Sequence, residues 1–159
     1  MDFKLNFHPD EEYYKEAYDQ LISIAKLKKF EPIFAVVFVL IGVCLYYFNM
    51  NKAFGFSSMI FSAIGIYEFF KFYYDRNKWL KDRNESKING NKIELEFTDT
   101  HIKHSGPFSS GEINWSGLMS IIKTKKGIVI KPQNGLSIYL PDRLFVEQKQ
   151  IDFILSKKK

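Results

Sequence analysis

The chain has 159 residues, enough for one ordinary domain, and its net charge of +5 comes from 23 basic and 18 acidic residues. That excess is too small and too scattered for a nucleic-acid binder, and no nucleic-acid partner is expected. A single cysteine, Cys44, excludes an intrachain disulfide and a cysteine metal site.

The charged residues, 26% of the total, are unevenly spread: between Ile33 and Tyr67 the only one is Lys52. This split predicts an apolar insert between polar segments. The chain opens with FKLNF, where Phe3, Leu5 and Phe7 alternate with polar residues as in a half-buried strand. HPDEEYYKEAYDQLISIAKLKK then predicts a helix. Pro9, Asp10, Glu11 and Glu12 suit its first turn and Lys26, Lys28 and Lys29 its last, while Tyr14, Ala17, Tyr18, Leu21, Ile24 and Ala25 form its apolar stripe. Strand and helix together make an N-terminal segment, 1–29.

Ile33 to Phe48 is uninterrupted by any polar residue, and extension to Phe30 and Met50 gives 21 residues. At ~1.5 Å per residue that is about 31 Å, the thickness of a bilayer core. Pro32 suits the first turn. A second run, Ala53 to Tyr74, follows after the turn-like link NMNKAFG. A soluble core helix shows a polar face every third or fourth residue, and the first run shows none. A chain this short also lacks the mass to bury two all-apolar helices. The expectation is a transmembrane helical hairpin over 30–76, with spans at about 30–50 and 54–74. No cleavable signal peptide is expected, since the first apolar run begins near residue 33 after a polar segment and no small-residue cleavage site follows.

Basic residues set the expected orientation. Lys26, Lys28 and Lys29 precede the first span, Lys71, Arg76, Lys78, Lys81 and Arg83 follow the second, and the link carries only Lys52. The positive-inside rule places both termini in the cytoplasm. Tyr46, Tyr47, Tyr67, Tyr73, Tyr74 and Trp79 fall where interfacial aromatic residues are favoured. The same basic flanks can attract anionic headgroups, although orientation alone accounts for them. Glu68 is the intramembrane polar candidate for proton or ion passage. It stands three residues before Lys71, near the cytoplasmic end, and mutual neutralisation at the interface is the favoured reading. Ser58, Ser62 and Gly65 make a small-residue stripe that suits close packing on Ala35 and Gly42, or on a second copy in a homodimer.

From Asn91 the period changes to two. NKIELEFTD, Thr100–Ser105, GEINW, LMSIIKTK, GIVIKP and LSIYL predict six short strands, and PDRLFVEQKQIDFILSKKK predicts a closing helix from Pro141 with Leu144, Phe145, Ile151, Ile154 and Leu155 on one side. The segment 88–159 is thus expected to be a small antiparallel half-barrel plugged by a helix.

EINWSGL with Trp115, SIIKTKKGIVI, and IYLPDRLF with Pro141 and Phe145 give this arrangement its resemblance to the YcxB-like family of small bacterial membrane proteins. The resemblance implies an α+β membrane protein whose C-terminal part is a pleckstrin-homology-like half-barrel. Such a barrel needs seven strands, and Phe3–Phe7 is expected to supply the seventh, added to the C-terminal sheet. The resemblance implies no enzymatic activity.

No GxSxG, P-loop, HExxH, CxxC or GxGxxG motif occurs. His101 and His104, three apart on a predicted strand, face opposite sides, and His8 stands apart from both. Neither a catalytic group, a metal nor a cofactor is expected. Lys123–Lys126 and Lys157–Lys159 read as a solvated turn and tail. The expected function is that of a non-enzymatic inner-membrane protein whose cytoplasmic domain binds a lipid or protein partner, such as a resident membrane complex. The alternative is an immunity protein that neutralises a cognate bacterial toxin at the membrane. A channel component would rest on Glu68 alone.

Overall fold

The computed structural model describes residues 1–48 and 53–157. Asn49, Met50, Asn51 and Lys52, which include most of the expected link, and Lys158 and Lys159 of the expected tail lie outside the described residues. The chain forms two compact units. One joins Met1–Ile24 to the chain from Leu80 onward, and the other is Ala25–Trp79.

In the first unit, β1 (Phe3–Phe7) buries Leu5 and Phe7 while Lys4 and Asn6 stay exposed, the period-two pattern read from the sequence. Asp10 caps α1 (Glu11–Ser23): its carboxylate accepts a hydrogen bond from Tyr13 N at 2.7 Å, and Glu11 and Glu12 follow in the first turn. The helix stops at Ser23, so the lysines expected in its last turn fall beyond it. Lys28 and Lys29 belong instead to a short 3-10 turn, Lys28–Phe30.

β2 (Ile93–Phe97), β3 (His101–Ser105) and β4 (Ser110–Asn114) follow as an antiparallel meander. β1 completes that sheet at its edge in the order β1-β2-β3-β4, with Phe3 opposite Phe97 and Phe7 opposite Ile93. β5 (Leu118–Lys123), β6 (Gly127–Pro132) and β7 (Ile138–Pro141) make a second antiparallel sheet. The β5–β6 turn closes against β7 so tightly that a Cβ at Gly127 would stand 2.8 Å from the Tyr139 ring, which only glycine avoids.

The closing helix departs from expectation. Pro141 ends β7, a 3-10 turn covers Asp142–Leu144, and α4 begins only at Gln148. Leu144 and Phe145 therefore pack on the core from the connecting segment and not from the helix. The start is fixed by a capping box in which Glu147 and Gln150 satisfy each other's backbone N–H groups. α4 (Gln148–Ser156) then sends Ile151 and Ile154 into a core shared with Phe97, Ile102, Ile121 and Leu140.

The second unit holds α2 (Glu31–Tyr47) and most of α3 (Ala53–Asn84). Pro32 lies in the first turn of α2, where its missing N–H costs nothing. α3 runs ten residues past the expected end at Tyr74. Its charged extension hid the helix from a reading based on apolar runs, yet Leu80 there is buried in the first unit.

Candidate functional site

α2 buries only Ala35 and Gly42. Ile33, Leu40 and Val43 are each more than half exposed, and Phe34, Val36 and Val37 nearly so. Among the described residues one helix is long and apolar enough to cross a membrane, Lys28–Tyr47, near the N-terminus. α3 is the less apolar partner, carrying Ser57, Ser58, Ser62, Glu68 and Lys71 along the corresponding length.

Small residues let the two helices touch. A Cβ on Gly42 would lie 2.8 Å from both Ser58 O and Ser62 N, and one on Gly65 would lie 2.6 Å from Ala35 O. Ser58 and Gly65 are buried, Ser62 is half-buried, and Phe38 stacks on Phe61 at 6.0 Å beside them. Backbone-to-backbone approach of this kind is the usual means of helix association where neither partner gains from shedding water. An open apolar groove beside the contact is lined by Val36, Leu40, Ile66 and Phe70.

Lys26, Lys28, Lys29, Lys71, Arg76 and Lys78 belong to the helical unit, and Lys81 and Arg83 to the sheet unit. Lys29 Nζ sits 4.9 Å over the Phe30 ring, and Lys81 pairs with Glu85 at 3.7 Å. Glu68 accepts a hydrogen bond from Lys71 Nζ at 3.3 Å, and both side chains are over a third exposed.

In the sheet unit, Trp115 is buried against Phe97 and Phe153 and donates from Nε1 to Thr98 O at 2.9 Å. Lys157, expected in a solvated tail, lies 4.7 Å over Phe153 and 5.9 Å over Trp115 and reaches Asp99 O at 3.1 Å. Pro141 is fully buried and Phe145 half-buried against the core.

A polar junction that the sequence reading missed fastens α1 to the second sheet. Tyr139 donates from its hydroxyl to Glu16 Oε1 at 2.5 Å, Arg143 donates to the other oxygen of Glu16, and Tyr13 donates from its hydroxyl to Tyr139 O at 2.8 Å. Burial pushes the Glu16 carboxyl up, but the hydrogen bonds from Tyr139 and Arg143 outweigh it and hold the group below its ordinary value. Burial first, then Glu16, raises the Tyr139 phenol, which stays protonated as a donor. The partners lie more than 120 residues apart, so no local pattern marks them.

The histidines do not converge. His101 Nδ1 lies 2.9 Å from Thr100 Oγ1, the His104 ring covers Gly111, and His8 Nδ1 lies 3.3 Å from Gly90 O. Among the described residues no group of three or more His, Cys, Asp or Glu side chains is placed to hold a metal ion.

Residues 97–156 match the family model described as YcxB-like protein. This segment is YcxB-like. It runs from the end of β2 through α4, including Trp115, the β5–β6 turn, Tyr139 and Arg143, and stops short of β1, α1 and the helical unit. No curated protein and no solved structure matches the chain.

Proposed function

We propose that the chain is a non-enzymatic integral membrane protein, held by a two-helix hairpin, whose YcxB-like sheet unit acts as a binding module at the cytoplasmic face. One observation carries the reading: α2 exposes apolar side chains on nearly every side, while the sheet unit beside it in sequence buries a core of its own. In water such a helix leaves an unpartnered apolar surface far larger than a monomer tolerates, and lipid removes that cost. For α3 the support is its close contact with α2 and the position of Glu68 next to Lys71, an ion pair at the end of the apolar stretch.

The sheet unit has four and three antiparallel strands followed by a C-terminal helix, the order expected of a pleckstrin-homology-like barrel. Strand order alone gives no ligand. A binding role accords with a unit in which the acidic groups at the junction are engaged in structural pairs, Glu16 with Arg143 and Asp142 with Lys123.

Membrane fractions test the anchor. The protein should stay in the pellet after alkaline carbonate extraction, and release into the supernatant would sink the reading. For orientation, a cysteine at exposed Asn134 in a Cys44→Ser background should react with an impermeant maleimide only after the cells are opened. Labelling in intact cells would invert the topology. Purification from gently solubilised membranes then tests the module: a stoichiometric resident membrane complex supports the adaptor role, a secreted toxin in its place makes the protein an immunity factor, and recovery of the chain alone removes the protein partner.

A further inference from the structure

One row of side chains crosses the whole outer face of the first sheet. Lys4 stands opposite Glu96, Glu96 opposite Lys103, and Lys103 opposite Glu112, so the sign of the charge alternates from β1 to β4. Lys4 reaches Glu96 at 3.4 Å, and Lys103 reaches Glu112 at 3.9 Å. Opposite charges on facing strands favour the register that brings them together. The row ends on Glu112, in the edge strand, with no further strand of this sheet to supply the next cation.

The backbone of β4 is open on the same side. Gly106 N donates to Ser109 O at 2.9 Å and Trp115 N to Thr100 O at 3.3 Å, which fixes the alternation of the β3–β4 ladder. By that alternation Gly111 and Ile113 bond to β3, while Ser110, Glu112 and Asn114 turn their N–H and C=O groups outward. These three residues are exposed, and among the described residues no backbone group bonds to their outward side. Natural sheets blunt such an edge with a proline, a lysine or a bulge. β4 has none of these, since SGEIN pairs with β3 in unbroken register. β1, the opposite edge, does carry a lysine, and Lys4 already bridges Glu94 and Glu96.

Charge decides what can add to this edge. A second copy pairing β4 with β4 along its full length would set Glu112 against Glu112, and like charges directly opposite are destabilising. A second copy offering β1 brings a lysine already held by two carboxylates. We propose that β4 receives an extended segment of a partner protein, with a lysine or arginine opposite Glu112 and small polar residues opposite Ser110 and Asn114. Backbone hydrogen bonds supply the affinity and the charged row supplies the selectivity. The inference rests on the binding-module reading above and adds to it the edge used and the chemistry of the partner.

The probes are two fluorescein-labelled peptides, TSTKTST and the same peptide with glutamate at its centre, added to the full-length protein in mild detergent. Fluorescence polarisation should show the lysine peptide binding about fivefold more tightly. The net charge of +5 favours the glutamate peptide, so a preference for lysine is local to an acidic site. N-methylation of the lysine peptide's amides should abolish binding, because it removes the backbone donors and keeps the charge. Glu112→Lys should reverse the preference and Glu112→Gln should erase it, with the near-ultraviolet spectrum unchanged. Equal binding of the two peptides, binding that survives N-methylation, or a preference indifferent to Glu112→Lys would each overturn the edge. So would a dimer that excludes the lysine peptide, which puts a second copy on β4. A chain that keeps a stoichiometric partner through membrane purification yet ignores both peptides overturns the edge alone. One that is recovered without a partner and also ignores them takes the binding reading with it.

Discussion

The two units bury their apolar residues in opposite ways. In the sheet unit Phe97, Ile128, Ile130, Leu140 and Ile154 are wholly inaccessible; β1 alternates between core and solvent, and β6 is buried along nearly its whole length. In the helical unit, among the described residues, only small ones are buried, and most of the large side chains are exposed. The first pattern belongs to a body that is stable by withdrawing from water. The second belongs to a unit that leaves its large side chains uncovered, and this unit holds the one described helix long and apolar enough to cross a membrane. One chain therefore contains two kinds of stability, and substitutions can tell them apart.

The largest contrast should come from truncating an apolar side chain in each unit. Phe97→Ala removes a ring stacked 4.9 Å from Phe3 and should destabilise the sheet unit by about 3–5 kcal/mol. Leu40→Ala, on the outer surface of α2, should change stability by no more than ~0.5 kcal/mol. Denaturation in mild detergent compares them, with the near-ultraviolet signal of Trp115 followed in a Trp79→Phe background and the far-ultraviolet helical signal followed beside it. Equal losses would erase the distinction. Next, Gly65→Leu should force α2 from α3 at a cost of about 1–3 kcal/mol, seen as a lowered melting temperature of the helical signal, while the Trp115 signal melts as before.

A smaller effect belongs to the junction. Tyr139→Phe removes one donor to Glu16 and should cost about 1–2 kcal/mol. Glu16 also gives the sheet unit a pH dependence with a definite sign. Its folded carboxyl titrates below the ordinary value of 4.5, so the folded state binds its proton less readily than the unfolded state. The stabilisation is complete above 4.5 and is lost as pH falls through the folded value. Urea midpoints measured from about pH 6 down to about pH 3 should therefore drop more steeply for the wild type than for Glu16→Gln. The smallest change is expected from Lys4→Ala. Lys4 bridges Glu94 and Glu96 at 3.3 and 3.4 Å on the open surface of the sheet, and its loss should leave the melting temperature unmoved.

What the sequence disclosed follows from how far each signal reaches along the chain. The apolar run of α2 and the period-two strands are local, and both stood out at once. That β1 joins the C-terminal sheet came from counting strands, because the barrel implied by the family resemblance needs a seventh; its pairing with β2 in particular was not legible. The end of α3 was hidden because Asp75, Arg76, Lys78, Lys81 and Asp82 break the apolar run without breaking the helix. The start of α4 was placed too early because Pro141, a good first helical residue, ends a strand here. Glu16, Tyr139 and Arg143 left no trace, since charged and aromatic residues in a helix or after a strand are ordinary until folding brings them together.

The register of Phe7 opposite Ile93 also governs the order of events during synthesis. β1 leaves the ribosome first, yet the strand it pairs with follows the whole helical unit. At ~5–20 residues per second, the 85 residues between them take several seconds to make. Through that interval β1 waits as a lone strand with Leu5 and Phe7 uncovered, while the helices emerge. Synthesis of the helical unit thus precedes closure of the sheet, and a nascent chain delayed at that step would carry an unpaired edge open to other chains.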